Sequence, residues 1–269
     1  MNYHDYNFIM DCVCDHMHDA CKHFPEDRIV CLNLAGSQNY GLDMKDSDVD
    51  TKLVVVPSFN DIAMNKQPVS TTHIRENGEH IGFHDVRLYI PTLRKGNTNF
   101  VETLFSEYSM INPLYAKEWN RLVDAREEIA RYDVARTIHA MRGTMYTKYK
   151  LVGSNSGNHA EAFEQFGYCP KEFYIMQRTE EFITRYISGE PYADCLVSKQ
   201  DELLKSIKSG CYTAGDALWM AKVCLDRTNE LCNKFLETCD KTVNQEVGAL
   251  LDDVQYNIMK IAMKKEFGE

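Results

Sequence analysis

The sequence predicts an α/β chain: a small mixed β-sheet core followed by an α-helical domain. Three observations predict it. Apolar, β-branched runs fill residues 29–35 and 49–56, and Asn77-Gly78 stands between two further extended runs. From Val86 onward the apolar spacing is helical. Gly153-Ser154-Asn155-Ser156-Gly157-Asn158 then interrupts the helical pattern and marks a boundary, dividing the chain into 1–150 and 151–269.

Taken in order, residues 5–22 read as an amphipathic helix ended by Phe24-Pro25-Glu26-Asp27. Met10, Cys14, Met17 and Cys21 are spaced to form its core stripe. Cys12, Cys14, His16, His18, Cys21 and His23 also suggest zinc, but lack a paired Cys-x2-Cys knuckle. The first strand is expected over 29–35, the second over 48–56, and a hairpin over 69–75 and 79–86. Helices follow over 86–94, 100–107, 113–123 and 130–150. Pro170 opens another to about 187; 198–208 and 213–264 complete the chain, with a break near Asp240.

At 269 residues the chain holds one large or two small domains, and 44% hydrophobic content is ordinary for a globular protein. No apolar run is long enough to span a membrane, and Met1-Asn2-Tyr3-His4-Asp5 has no basic-then-apolar leader, so a cytoplasmic protein with no membrane partner is expected. A formal net charge of −10 argues against a broad, non-specific hold on nucleic acid. It leaves room for a local basic patch: Arg131, Arg136, Arg142, Lys148 and Lys150, with His139, face only Asp133.

The chemistry points to Gly36-Ser37-Gln38-Asn39-Tyr40-Gly41-Leu42 and the following Asp46-Ser47-Asp48-Val49-Asp50. Gly36 and Ser37 end an apolar strand and read as a phosphate-cradling turn, opening a short helix whose N–H groups favour anions. Ten residues separate Ser37 from Asp48. Asp48 and Asp50, at i and i+2, share a strand face. Their mutual repulsion is relieved by a cation, and hard oxygen ligands suit Mg2+ or Mn2+ beside a substrate phosphate. Asp85, alternating with Ile81 and Phe83, is a candidate third ligand; the other reading is an N-cap of the helix from Val86.

The Gly-Ser turn, the ten-residue spacing and the Asp-x-Asp strand together resemble the nucleotidyltransferase superfamily that contains DNA polymerase β. Asp85-Val86-Arg87, Leu93-Arg94-Lys95-Gly96-Asn97, Glu102-Thr103-Leu104 and Lys171-Glu172-Phe173-Tyr174 to Arg178 resemble its RNA-ligase-associated subgroup from bacteria and phages. Thr98 stands where that subgroup has Pro, and Tyr174 or Ile175 where it has His. The resemblance covers roughly residues 30–220. It implies that Gly36 and Ser37 bind the NTP phosphates, that Asp48 and Asp50 bridge two Mg2+ ions, and that Asp85 holds one of them. It implies transfer of NMP to a hydroxyl in a cleft between the halves, with pyrophosphate released. An RNA or tRNA end is the first expected acceptor, as in RNA repair. Candidate cations are Lys52, Arg87, Lys95, Arg142, Lys148, Lys171 and Arg178, with Arg87 and Lys171 foremost; Tyr40 and Tyr174 are candidates to stack on the base. Two rivals stand beside this: transfer to a protein or small molecule, and a catalytically silent nucleotide- or partner-binding factor.

Overall fold

The computed structural model describes residues 3–45 and 47–268, so Asp46 of the acidic motif lies outside the described residues, as do Met1, Asn2 and Glu269. Helix α1 (Tyr6–Ala20) begins where the Asp5 carboxylate accepts the Phe8 N–H at 2.9 Å. Strand β1 (Ile29–Ala35) is buried along its whole length, and β2 (Asp50–Val55) follows the Gly36–Val49 connection. The short helix α2 (Phe59–Ala63) is closed by a reciprocal Ser58–Asp61 capping box. The hairpin β3 (Ser70–Ile74) and β4 (His80–Asp85) forms around Asn77-Gly78 as expected. Helices α3 (Val86–Leu93) and α4 (Thr98–Val101), a 3-10 turn over Glu102–Phe105 and strand β5 (Ser109–Ile111) follow. Then come α5 (Ala116–Asp124), α6 (Arg126–Ala130), α7 (Val134–Val152), α8 (Ala160–Phe166), α9 (Pro170–Ile187), α10 (Tyr192–Leu196), α11 (Asp201–Lys208), α12 (Ala214–Thr238) and α13 (Gln245–Phe267).

The five strands form one mixed sheet in the order β3-β4-β2-β1-β5. Strands β1 and β2 are antiparallel with Ala35 opposite Asp50; β2 and β4 are parallel with Thr51 opposite Ile81. This confirms a mixed α/β core with a helical region after it. Strand β5 was absent from the expectation because three residues carry too little alternation to register.

The sheet has two chemically different faces. Leu32, Leu34, Val49, Leu53, Val55, Ile81 and Phe83 pack with Ile9, Val13 and Ala20 of α1. The opposite face receives α3 and the Glu102–Phe105 turn, where the Tyr89 hydroxyl bonds that of Thr103 at 2.6 Å.

The expected core stripe of α1 is wrong by one position. Cys14 and Cys21 are exposed, and Ile9, Val13, His16 and Ala20 face the sheet. A shift of one residue turns a helix by about 100°. It buries three apolar side chains and satisfies His16, whose Nδ1 meets the Thr51 hydroxyl at 2.8 Å and whose Nε2 meets Glu79 at 3.0 Å.

Two compact units are present, 1–133 with 242–269, and 134–241. The expected boundary after residue 150 instead falls inside α7. The last helix does not extend a C-terminal domain: α13 packs against α5 and α3, and Arg94 and Arg121 pair with Asp252 and Asp253. The second unit is wholly helical. Its central α9 starts at Pro170, where a missing N–H costs nothing, and buries Phe173, Tyr174, Met176, Phe182, Ile183 and Tyr186. Among the described residues no helix is long and apolar enough to cross a membrane.

Replacing His16 with Ala leaves the Thr51 hydroxyl and Glu79 without this partner and opens a cavity. We expect a loss of about 3 kcal/mol in urea denaturation, with the secondary structure unchanged.

Candidate functional site

The site is built at the end of β1. Gly36 adopts φ 92°, ψ −160°, a conformation essentially confined to glycine. That kink turns the chain into Ser37–Tyr40, which Gly41 closes in the left-handed region. The expected anion-favouring helix is a single four-residue 3-10 turn, too short to present a helix dipole. Asn39 anchors it by donating to the Leu34 carbonyl at 2.8 Å. Buried Gln38 reaches across and donates to the Asp48 carbonyl at 2.6 Å. No sequence pattern singled out Gln38, although it joins the two halves of the motif.

Strand pairing brings the turn and the acidic pair together. Asp50 lies opposite Ala35, one residue before Gly36. Val49 is in the core beneath the sheet and Thr51 bonds His16 there, so Asp50 projects from the other face, while Asp48 precedes the strand, which begins at Asp50 and not at 48 as expected. Asp48 is exposed; the Asp50 side chain is 42% exposed and its Oδ1 accepts from the His80 N–H at 3.1 Å and lies 3.2 Å from Nδ1 of the same histidine.

Asp85 does not join them. The parallel register sets Asp50 beside His80, five positions before Asp85, a separation of roughly 16 Å at strand spacing. Alternation also points Asp85 to the face shared by Ile81 and Phe83, away from Asp50. Its carboxylate caps α3 through the Arg87 N–H at 2.8 Å and holds the Arg87 guanidinium at 2.7 Å. The capping alternative is therefore the role observed. Arg87, expected at the nucleotide, is spent on the same pair, and its hydrogen bonds to Asp85 raise its pKa further. Lys171 and Tyr174 belong to the second unit: Lys171 is exposed in the first turn of α9, and Tyr174 is buried beneath the Lys208 ammonium at 5.6 Å. Lys148 is paired with buried Glu172 at 2.9 Å, and Lys150 lies over Tyr146 at 4.2 Å. The 131–150 patch is thus partly committed to its own unit.

The face that carries Asp50 continues as a polar strip. Lys52 lies opposite Asn33 on one side and Gly82 on the other. Burial lowers the Lys52 pKa, opposed by the nearby Glu102 and Asp50 carboxylates. Buried Glu102 accepts from the Tyr40 hydroxyl at 3.2 Å, so Tyr40 is tied to this strip. His84 packs on Phe100 at 4.8 Å; burial, reinforced by the Lys52 charge, pulls its imidazole down to about 4. Lys52 was one of seven candidate cations and Glu102 belonged to a resembling motif, but nothing in the sequence joined them, because their proximity depends on how the Thr98–Phe105 segment folds against the sheet.

Asp48 is exposed and the Asp50 side chain is 42% exposed, and carboxylate oxygens are of the ligand type that suits a hard divalent ion. A second ion held by Asp85 does not fit this arrangement. Among the described residues no group of three or more His, Cys, Asp or Glu side chains could hold a metal, and that includes those in the Cys12–His23 segment. No family model and no curated protein matches the chain.

Two outcomes test this division of roles. Asp85→Asn breaks a buried, hydrogen-bonded charge pair and should cost about 3 kcal/mol, whereas Asp50→Asn should cost about 1 kcal/mol or less, both read by chemical denaturation. His84 supplies a pH test. Its folded pKa lies below the ordinary 6.5, so its contribution is complete above pH 6.5 and is lost as pH falls toward 4. The urea midpoint should drop over that window, and His84→Leu should flatten the drop.

Proposed function

We propose that this chain is a divalent-metal-dependent nucleotidyltransferase that moves NMP from an NTP to a hydroxyl acceptor. The observation that supports the reading is the end of the β1–β2 register, where Ala35 pairs with Asp50 next to the Gly36 turn and Gln38 of that turn bonds the Asp48 carbonyl. Asp48 and Asp50 would hold Mg2+ or Mn2+, and the bound ion would supply charge neutralisation at the phosphates. Gly36 provides a sharp backbone turn without a side chain at the phosphate approach, and Gln38 holds Asp48 against that turn. The acceptor oxygen forms a bond to the α-phosphorus, the bond from that phosphorus to the bridging oxygen breaks, and pyrophosphate leaves with the electron pair. The hydroxyl proton passes to solvent. An RNA or tRNA end remains the first acceptor, on the resemblance to the RNA-ligase-associated subgroup; a protein or small-molecule hydroxyl is the alternative.

One observation favours a second reading, nucleotide binding without transfer. Asp85 is committed to Arg87, so the third carboxylate expected of the two-ion arrangement is not at that position.

Incubation with each α-32P-labelled NTP, Mg2+ or Mn2+, and total RNA and protein decides between them. Label on RNA that falls by about a thousandfold or more in Asp48→Ala and Asp50→Ala supports the first reading. Label on protein redirects the acceptor. Nucleotide binding with no transfer under either metal overturns the transferase reading and leaves the binding one.

A further inference from the structure

We propose that Lys52 is the cation this fold sets against the triphosphate of a bound nucleotide, with Glu102 and Tyr40 positioning its ammonium. The inference rests on the nucleotidyltransferase reading and names a part of that site which the acidic motif does not contain.

Four observations lead to it. Lys52 follows Asp50 by two residues in β2 and therefore shares its face. No other strand residue on that face is Lys or Arg. Two neighbouring cations of the same unit are engaged elsewhere: Arg87 by Asp85, and Arg75 by Asp19 and Glu79 on the side of α1. The row through Lys52 also holds an unpaired polar atom: the Oδ1 of Asn33, which is 1% exposed, has no hydrogen-bond partner among the described residues. On the other side Gly82 leaves room for the His84 imidazole, which a Cβ there would meet at 2.9 Å.

The electrostatics explain how such a cation is kept without substrate. An ammonium removed from water needs a compensating charge. Glu102 and Asp50 both lie within Coulombic reach of Lys52, and the Phe100 ring is 5.8 Å from its nitrogen. Tyr40, in the turn that begins at Ser37, donates to Glu102 and so connects the turn to the lysine. A metal held by Asp50 would draw on one of these two carboxylates and leave the ammonium with charge to share with a phosphate. Lys52 then supplies at the triphosphate part of the positive charge that a second metal would bring.

Binding measured without turnover tests this. The full-length protein is titrated, with Ca2+ replacing Mg2+ and Mn2+ so that a hard cation is available to the carboxylates, with each of the four ribonucleoside triphosphates, with inorganic tripolyphosphate and with the matching nucleoside monophosphates. Lys52→Met should weaken triphosphate and tripolyphosphate binding by about tenfold or more, with monophosphate binding changed by less than about twofold. Lys52→Arg should restore most of the loss, and Tyr40→Phe should weaken triphosphate binding by about threefold. These two variants keep the charge or the ring, so they carry the test if Lys52→Met does not fold. Equal losses for mono- and triphosphates, or no rescue by Arg, would overturn the proposal, as would triphosphate binding that neither Lys52→Met nor Tyr40→Phe alters. A wild-type chain that binds no triphosphate overturns both this inference and the transferase reading. Lys52-dependent binding without any transfer overturns the transferase reading alone.

Discussion

The register between β1 and β2 is the constraint on which the rest depends. A slip of one residue would send every side chain of β2 to the opposite face. Asp50 and Lys52 would then point into the apolar layer against α1, and Leu53 and Val55 would be exposed. The observed register is held from beneath by Val49, Leu53 and Val55 in the core and by the His16–Thr51 hydrogen bond. It is held at its end by Gly36, which reverses the chain where Ala35 meets Asp50. Burying apolar area on one face thus aims the carboxylates on the other.

The same sheet separates charges by purpose. Below it, His16, Glu79, Arg75 and Asp19 form a connected polar chain that closes α1 onto the strands. At the far end, Asp85 and Arg87 cap α3 and fix the exit from β4. Above it, Asp50, Lys52, Glu102 and Tyr40 make a polar strip in which two carboxylates act electrostatically on the lysine and Tyr40 bonds one of them. Only this last group borders the exposed Asp48. The first two are locked in short, partly buried pairs, whose disruption costs stability; the third retains exposed oxygens at Asp48 and Asp50 that a ligand can reach.

The two Asp-x-Asp carboxylates and Asp85 show how far a local pattern reaches. Asp48 and Asp50 are two residues apart, so a strand running through both would put them on one face; the strand observed begins only at Asp50. Asp85 is far from them in sequence, and its position relative to Asp50 depends on how β4 pairs with β2. The alternation of Ile81, Phe83 and Asp85 was legible and correct, but it identifies a shared face without saying which face of the sheet that is. Parallel pairing with Thr51 opposite Ile81 decides it, against a ligand role. Arg87 follows Asp85 for the same reason. The α1 stripe failed differently: cysteine and methionine at one helical angle and isoleucine, valine and alanine at the next were both plausible faces, and the partners waiting for His16 selected the second.

What the sequence by itself determined was therefore what neighbouring residues impose on one another: the strands on either side of the Gly36 turn, the Asn77-Gly78 hairpin and the start of α9 at Pro170. The tertiary structure alone decided which distant groups meet. It placed His80 beside Asp50 where a carboxylate was expected, brought Glu102, bonded by Tyr40, within electrostatic reach of Lys52, and returned α13 to the first unit after residues 134–241. The physical reason is that backbone periodicity acts over a few residues, whereas strand order, register and helix packing are chosen by the burial of the whole apolar surface, and long-range charge pairs form only where that choice leaves them.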